Sequence, residues 1–105
     1  MAVNNSSGDP SLLVLMSLAG GAKHGYAIVE DVKGQVGVRL GPGTLYGALA
    51  RLEERGMIRA LPPEARRRPY ALTALGAESL RAELERLGRV AETGLRRLSL
   101  AGRIS

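Results

Sequence analysis

Gly41-Pro42-Gly43-Thr44-Leu45-Tyr46 leads into Leu49-Ala50-Arg51-Leu52-Glu53-Glu54-Arg55-Gly56. A short way beyond, Arg66-Arg67-Arg68 runs directly into Pro69-Tyr70-Ala71-Leu72-Thr73. Leu45, Ala48, Leu49, Leu52 and Gly56 recur at helical spacing, which sets them on one face of a helix over 42–56. Gly41-Pro42 opens this helix, because proline at the first helical position has no amide to lose there, and Gly56 ends it. The opposite face carries Gly43, Tyr46, Gly47, Ala50, Arg51 and Glu54. Small residues around one aromatic hydroxyl let such a helix approach another surface closely. Met57–Leu61 then predicts a strand, and Pro62-Pro63 forces an irregular turn because neither residue donates to a ladder. Glu64–Arg68 forms a cationic loop, and Pro69–Leu72 returns as a second strand.

Upstream, residues 1–8 are small and polar and predict a disordered start. Asp9-Pro10 supplies a cap and a first helical residue. The run Leu12, Leu13, Leu15, Met16, Leu18 and Ala19 is apolar around most of its circumference, so this helix needs cover on several sides, from its own domain or from a second subunit. Gly20-Gly21 ends it. A second helix over about 25–34 buries Ile28, Val29 and Val32. Downstream, Thr73 caps a final helix that reaches about Leu98, in which Leu80, Leu84, Leu87, Ala91, Gly94 and Leu98 form a narrow seam suited to a partner helix. The whole predicts a mainly α fold with a small β-hairpin wing, a winged helix-turn-helix. It would form a homodimer through the C-terminal helix (Leu80, Leu84, Leu87, Ala91, Gly94, Leu98) and the first helix (Leu12, Leu15, Met16). Residues 9–73 form the winged domain, 74–100 the dimerisation helix and 101–105 a flexible tail.

The 105 residues suit one domain and are too few for two cores. Hydrophobic residues make up 45%, with no Trp and no Phe, so the core is aliphatic. The net charge of +5, from 15 Lys and Arg against 10 Asp and Glu, favours a polyanionic partner without establishing one. With no cysteine there are no disulfides and no thiolate zinc site. One histidine, no phosphate loop and no carboxylates paired at metal-ligand spacing leave no constellation for catalysis, a metal or a cofactor. The longest apolar stretch, Leu12–Ala19, is far too short to cross a bilayer. A cytoplasmic, non-membrane protein is the expectation.

In a helix-turn-helix the second helix enters the major groove with its N-terminal residues at the base edges. That assigns double-stranded DNA as the partner of the 42–56 helix. The amides at Gly43 and Thr44, with the positive end of the helix dipole, suit a phosphate. Thr44 and Tyr46 add hydroxyl donors, Gly47 leaves room, and Arg51 reaches either a phosphate or a guanine edge. Arg66, Arg67 and Arg68 follow the backbone or enter a minor groove. Lys23, His24 and Tyr26 stand at the start of the second helix, near the flanking backbone. The competing expectation is a winged-helix protein-interaction adaptor, since fold alone does not decide function.

The chain resembles the PadR family of bacterial transcriptional regulators over roughly Leu12 to Leu98. His24-Gly25-Tyr26-Ala27-Ile28, Gly43-Thr44-Leu45-Tyr46, Leu49-Ala50-Arg51-Leu52-Glu53, Gly56-Met57-Ile58 and Arg67-Arg68-Pro69-Tyr70-Ala71-Leu72-Thr73 followed by Gly76 carry the resemblance. It implies a homodimer that represses transcription from a pseudo-palindromic promoter site. It also implies DNA contact at Tyr46 and the wing arginines, and dimerisation by the last helix. Gly47 stands where the family commonly has proline, and Pro62-Pro63 is an unusual wing element. The last helix ends near the C-terminus, which suggests the short form of the family. It holds no aromatic residue to stack on a flat ligand, so a small apolar effector, or none, is the expectation.

Overall fold

The Asp9 carboxylate accepts a hydrogen bond from the Ser11 amide at 3.1 Å, and Pro10 follows as the first residue of helix α1 (Pro10–Ala19). From there the computed structural model, which describes residues 9–102, runs β1 (Lys23–His24), α2 (Gly25–Val36), α3 (Pro42–Glu54), β2 (Ile58–Ala60), β3 (Pro69–Leu72) and α4 (Ala74–Gly102). The expected disordered start at 1–8 lies outside the described residues. Ala101 and Gly102, assigned to a flexible tail, continue α4, and the rest of that tail is also outside.

Helix α1 is the centre of the core. Leu12, Leu13, Val14, Leu15 and Leu18 are all buried, covered by α2, α3, α4 and β3 of the same chain. Most of the apolar circumference is therefore covered within the one chain. Leu12 and Leu15, expected at a dimer interface, are interior residues, and Met16 packs partly buried against the same cluster. From α2 the core receives Ile28 and Val32, and from α3 it receives Leu45, Ala48, Leu49 and Leu52, the face that their spacing predicts. At roughly 1.5–3 kcal/mol for each large aliphatic side chain fully buried, this cluster outweighs any single polar contact in the molecule.

Helix ends follow the glycines, with shifts of about two residues. Gly37, at φ 72°, is the left-handed cap that closes α2, and its amide bonds to the Lys33 carbonyl at 3.0 Å. The helix therefore passes through Gly34 and beyond the expected end. Helix α3 stops at Glu54, with Gly56 at φ 75° turning the chain into β2.

The sheet is antiparallel in the order β1-β3-β2. β2 and β3 are the expected hairpin, with Ile58 opposite Leu72 and Ala60 opposite Tyr70. β1 is additional: Lys23 pairs with Tyr70 and His24 with Pro69. That pairing seats the start of α2 against the wing. At the wing tip Glu64 and Arg67 exchange both backbone hydrogen bonds, at 2.8 and 2.9 Å. Ala65 takes φ 55°, the first-position pattern of a type II′ turn that normally demands glycine.

Thr73 joins wing and last helix. Its hydroxyl donates to the Gly56 carbonyl at 2.6 Å and accepts the Gly76 amide at 3.0 Å, while its own amide donates to the Met57 carbonyl at 3.1 Å. Gly76 lies so close to that turn that a Cβ there would stand 2.0 Å from the Met57 oxygen. Beyond this joint α4 is 29 residues, about 43 Å of helix at 1.5 Å per residue. Leu80 enters the core and Leu87 packs partly against it. Further out, Leu95 and Leu98 are 68% and 69% exposed, and Val90, Ala91 and Gly94 are exposed beside them. Along the same helix Arg86 and Glu83 form an exposed pair. Its hydrogen bond holds the Glu83 carboxyl below the usual carboxylate range and pushes the guanidinium up. No helix among the described residues is long and apolar enough to cross a membrane.

Candidate nucleic-acid interface

Gly41 caps α3 without a side chain, and Pro42 has no amide, so the Gly43 and Thr44 N–H groups face outward at the positive end of the helix dipole. Thr44 is exposed beside them. Tyr46, one turn in, is 58% exposed. Its ring leans over the start of α2, where a Cβ on Gly25 would meet the hydroxyl at 3.1 Å and the Leu45 side chain at 3.2 Å. Gly25 is thus a seat for this ring. The Tyr46 hydroxyl makes no hydrogen bond to the described residues and stays available as a donor. Gly47 opens room along the same face for the Arg51 guanidinium, since a Cβ at Gly47 would lie 3.4 Å from its Nη1. Arg51 therefore folds back toward the beginning of α3 and into reach of whatever docks there.

A cleft of about 250 Å³ opens between this helix, the start of α2 and the wing, lined by His24, Gly25, Tyr26, Tyr46, Arg66, Arg67, Arg68 and Tyr70. Tyr26, on the first turn of α2, is 65% exposed at its rim. Six expected DNA contacts, distant from one another in sequence, thus share one surface: His24, Tyr26, Tyr46 and the three wing arginines. Those arginines differ in what holds them. Arg68 donates to the Leu61 carbonyl at 3.2 Å and braces the wing. Arg67 has its Nη1 3.0 Å from His24 Nε2. Arg66, beside Ala65 at the tip, is exposed with no hydrogen-bond partner among the described residues.

Lys23 does not join them. Its ammonium bonds the Ser17 and Gly21 carbonyls at the end of α1 and lies 3.8 Å from an Asp31 oxygen that also accepts the Ser17 hydroxyl at 2.7 Å. A cation suits the negative end of a helix, and this one ties α1, β1 and α2 together. The residue expected on the DNA backbone is a fastener inside the fold. Two members of the surface were not among the expected site residues. Tyr70 alternates with buried Pro69 on β3, and period two beside an arginine run is the signal that finds it. Gly25 needs the tertiary structure, because only the Tyr46 ring explains it.

The sequence profile described as the transcriptional regulator PadR-like family matches residues 14–82. Over 82 residues the chain is 48% identical to an uncharacterised 37.1 kDa protein in transposon TN4556 of Streptomyces fradiae, a match that covers 78% of this chain and 24% of that protein. The chain thus spans about a quarter of that relative's length. Among solved structures, a transcriptional regulator from Clostridium thermocellum superposes with a TM-score of 0.76 at 25% identity, covering 89% of this chain and 93% of the other. A PadR family transcription regulator from Clostridium difficile gives 0.77 at 24% identity, over 87% and 99% of the two chains. A PadR-like transcriptional regulator from Bacillus cereus gives 0.77 at 20%, over 88% and 93%. These last two share the fold.

Proposed function

Because this chain belongs to the PadR-like family of transcriptional regulators, we propose that it is a sequence-specific repressor that binds a pseudo-palindromic promoter site as a homodimer. One observation carries the reading. The exposed Tyr46 on the first turns of α3, the start of α2 and the arginine-bearing wing converge on a single cleft, in a chain of net charge +5. Helix α3 enters the major groove with Thr44, Tyr46 and Arg51 on its docking face, and Gly43 and Gly47 let the backbone come close. Tyr26 and His24 stand over the flanking backbone, and Arg66 reaches furthest from the wing. The exposed α4 stripe through Leu84, Ala91, Leu95 and Leu98 meets its counterpart in a second copy, and the resulting two-fold axis is what a palindromic site mirrors.

Selection of bound fragments from the source genome, followed by footprinting at two salt concentrations, tests this. The expected result is salt-sensitive retention of a small set of promoter fragments with symmetric protection. Failure to retain any duplex at low salt would transfer the molecule to the class of winged-helix adaptors.

A further inference from the structure

His24 carries two contacts that one imidazole cannot satisfy together. As the N-cap of α2, its Nδ1 accepts the Ala27 amide at 3.3 Å, so Nδ1 is unprotonated. A neutral imidazole has one N–H, and it is then on Nε2. That same Nε2 stands 3.0 Å from Arg67 Nη1, and a guanidinium only donates. Two N–H donors therefore face each other across the cleft, held there by the pairing of His24 with Pro69, two residues from Arg67. Moving the proton to Nδ1 would let Arg67 donate but would set a donor against the Ala27 amide. Charging the ring would do the same and add repulsion from Arg67. Every group is satisfied at once when a single acceptor bridges both donors. Beside the arginines and the positive end of α2, that acceptor is an anionic oxygen.

We propose that His24 Nε2–H and the Arg67 guanidinium form a two-donor clamp for one backbone phosphate of duplex DNA, through which the nucleic acid fastens the wing to the start of α2. This rests on the DNA-binding reading and adds to it a particular phosphate site and a division of labour. Arg67 and His24 act as one unit, Arg68 braces the hairpin, and Arg66 alone is free to explore a groove.

The clamp and the wider reading are tested separately. His24→Asn keeps an N-cap acceptor for the Ala27 amide, since asparagine is among the strongest N-caps, and deletes the ring donor. Arg67→Gln removes the charge. The expected result is a roughly ten-fold loss of affinity for specific and random duplex alike in each single variant, the order of one hydrogen bond to a charged group. The double variant should lose little more than Arg67→Gln alone, because both donors serve one phosphate. Arg67→Gln should also lower the salt slope by about one, whereas His24→Asn should leave it unchanged. In the free protein, two-bond nitrogen–proton NMR in mildly alkaline buffer should report the Nε2–H tautomer of His24. An Nδ1–H tautomer, or additive losses in the double variant with normal wild-type binding, overturns the clamp and leaves the DNA reading standing. A wild-type protein that retains no duplex overturns both.

Discussion

Tyr46 is where a single atom separates recognition from packing. Its ring is seated over Gly25 and its hydroxyl is unpartnered within the described chain, so the ring belongs to the fold and the oxygen is the atom proposed to meet DNA. Tyr46→Phe should therefore weaken duplex binding by roughly 0.5–3 kcal/mol and leave the melting temperature unchanged, which anisotropy titration and thermal unfolding measure together. A joint fall in both would make the tyrosine a packing residue. At this scale the sequence was a partial guide. The positions of Tyr46 and Arg51 on the open face of α3 follow from period 3.6 and nothing else. The fate of Lys23 does not, because its partners Ser17, Gly21 and Asp31 are brought to it only when α1 and α2 pack. Likewise nothing in Arg66-Arg67-Arg68 as a string tells a brace from a clamp from a free cation.

Among the elements, the wing and the joint to α4 make opposite predictions. Ala65 holds a positive φ that glycine adopts without cost, so Ala65→Gly should relieve about 1 kcal/mol of local strain, offset in part by the greater unfolded-state freedom of glycine. Slower hydrogen exchange at the Arg67 amide, which bonds back to Glu64, is the expected signature, with duplex affinity retained. Gly76 is the reverse case. Its backbone is pressed against the Met57 carbonyl, and Gly76→Ala should cost on the order of 1–3 kcal/mol or more, seen as a lower melting temperature. Helices α3 and α4 were legible because each repeats its apolar period over three turns or more, and α1 because its apolar run is bracketed by Asp9-Pro10 and Gly20-Gly21. β1 was not, since two residues have no period and owe their strand geometry entirely to β3. The end of α2 shifted because Gly34 and Gly37 compete to stop the helix, and only Gly37, the left-handed one, does so.

For the molecule as a whole, the question is what covers the outer half of α4. The chain measures 59 × 26 × 23 Å, drawn out by a helix whose last turns touch nothing of their own core. Leu95→Glu with Leu98→Glu should convert a dimer to a monomer in sedimentation, with the winged body still folded. Affinity for a palindromic site should fall far more than affinity for a half-site, because the two reading heads are no longer linked. The same distribution of side chains has an optical consequence. The chain has no tryptophan or phenylalanine, and its three tyrosines, Tyr26, Tyr46 and Tyr70, all line the cleft between α2, α3 and the wing. The protein's native ultraviolet emission therefore comes from residues along that one surface, with Tyr70 also packed against the core, and is quenched or shifted as a ligand settles over it, while the aliphatic residues themselves stay dark. A titration followed at tyrosine wavelengths reads docking without any label, and the loosening of the core must be followed by helical dichroism instead.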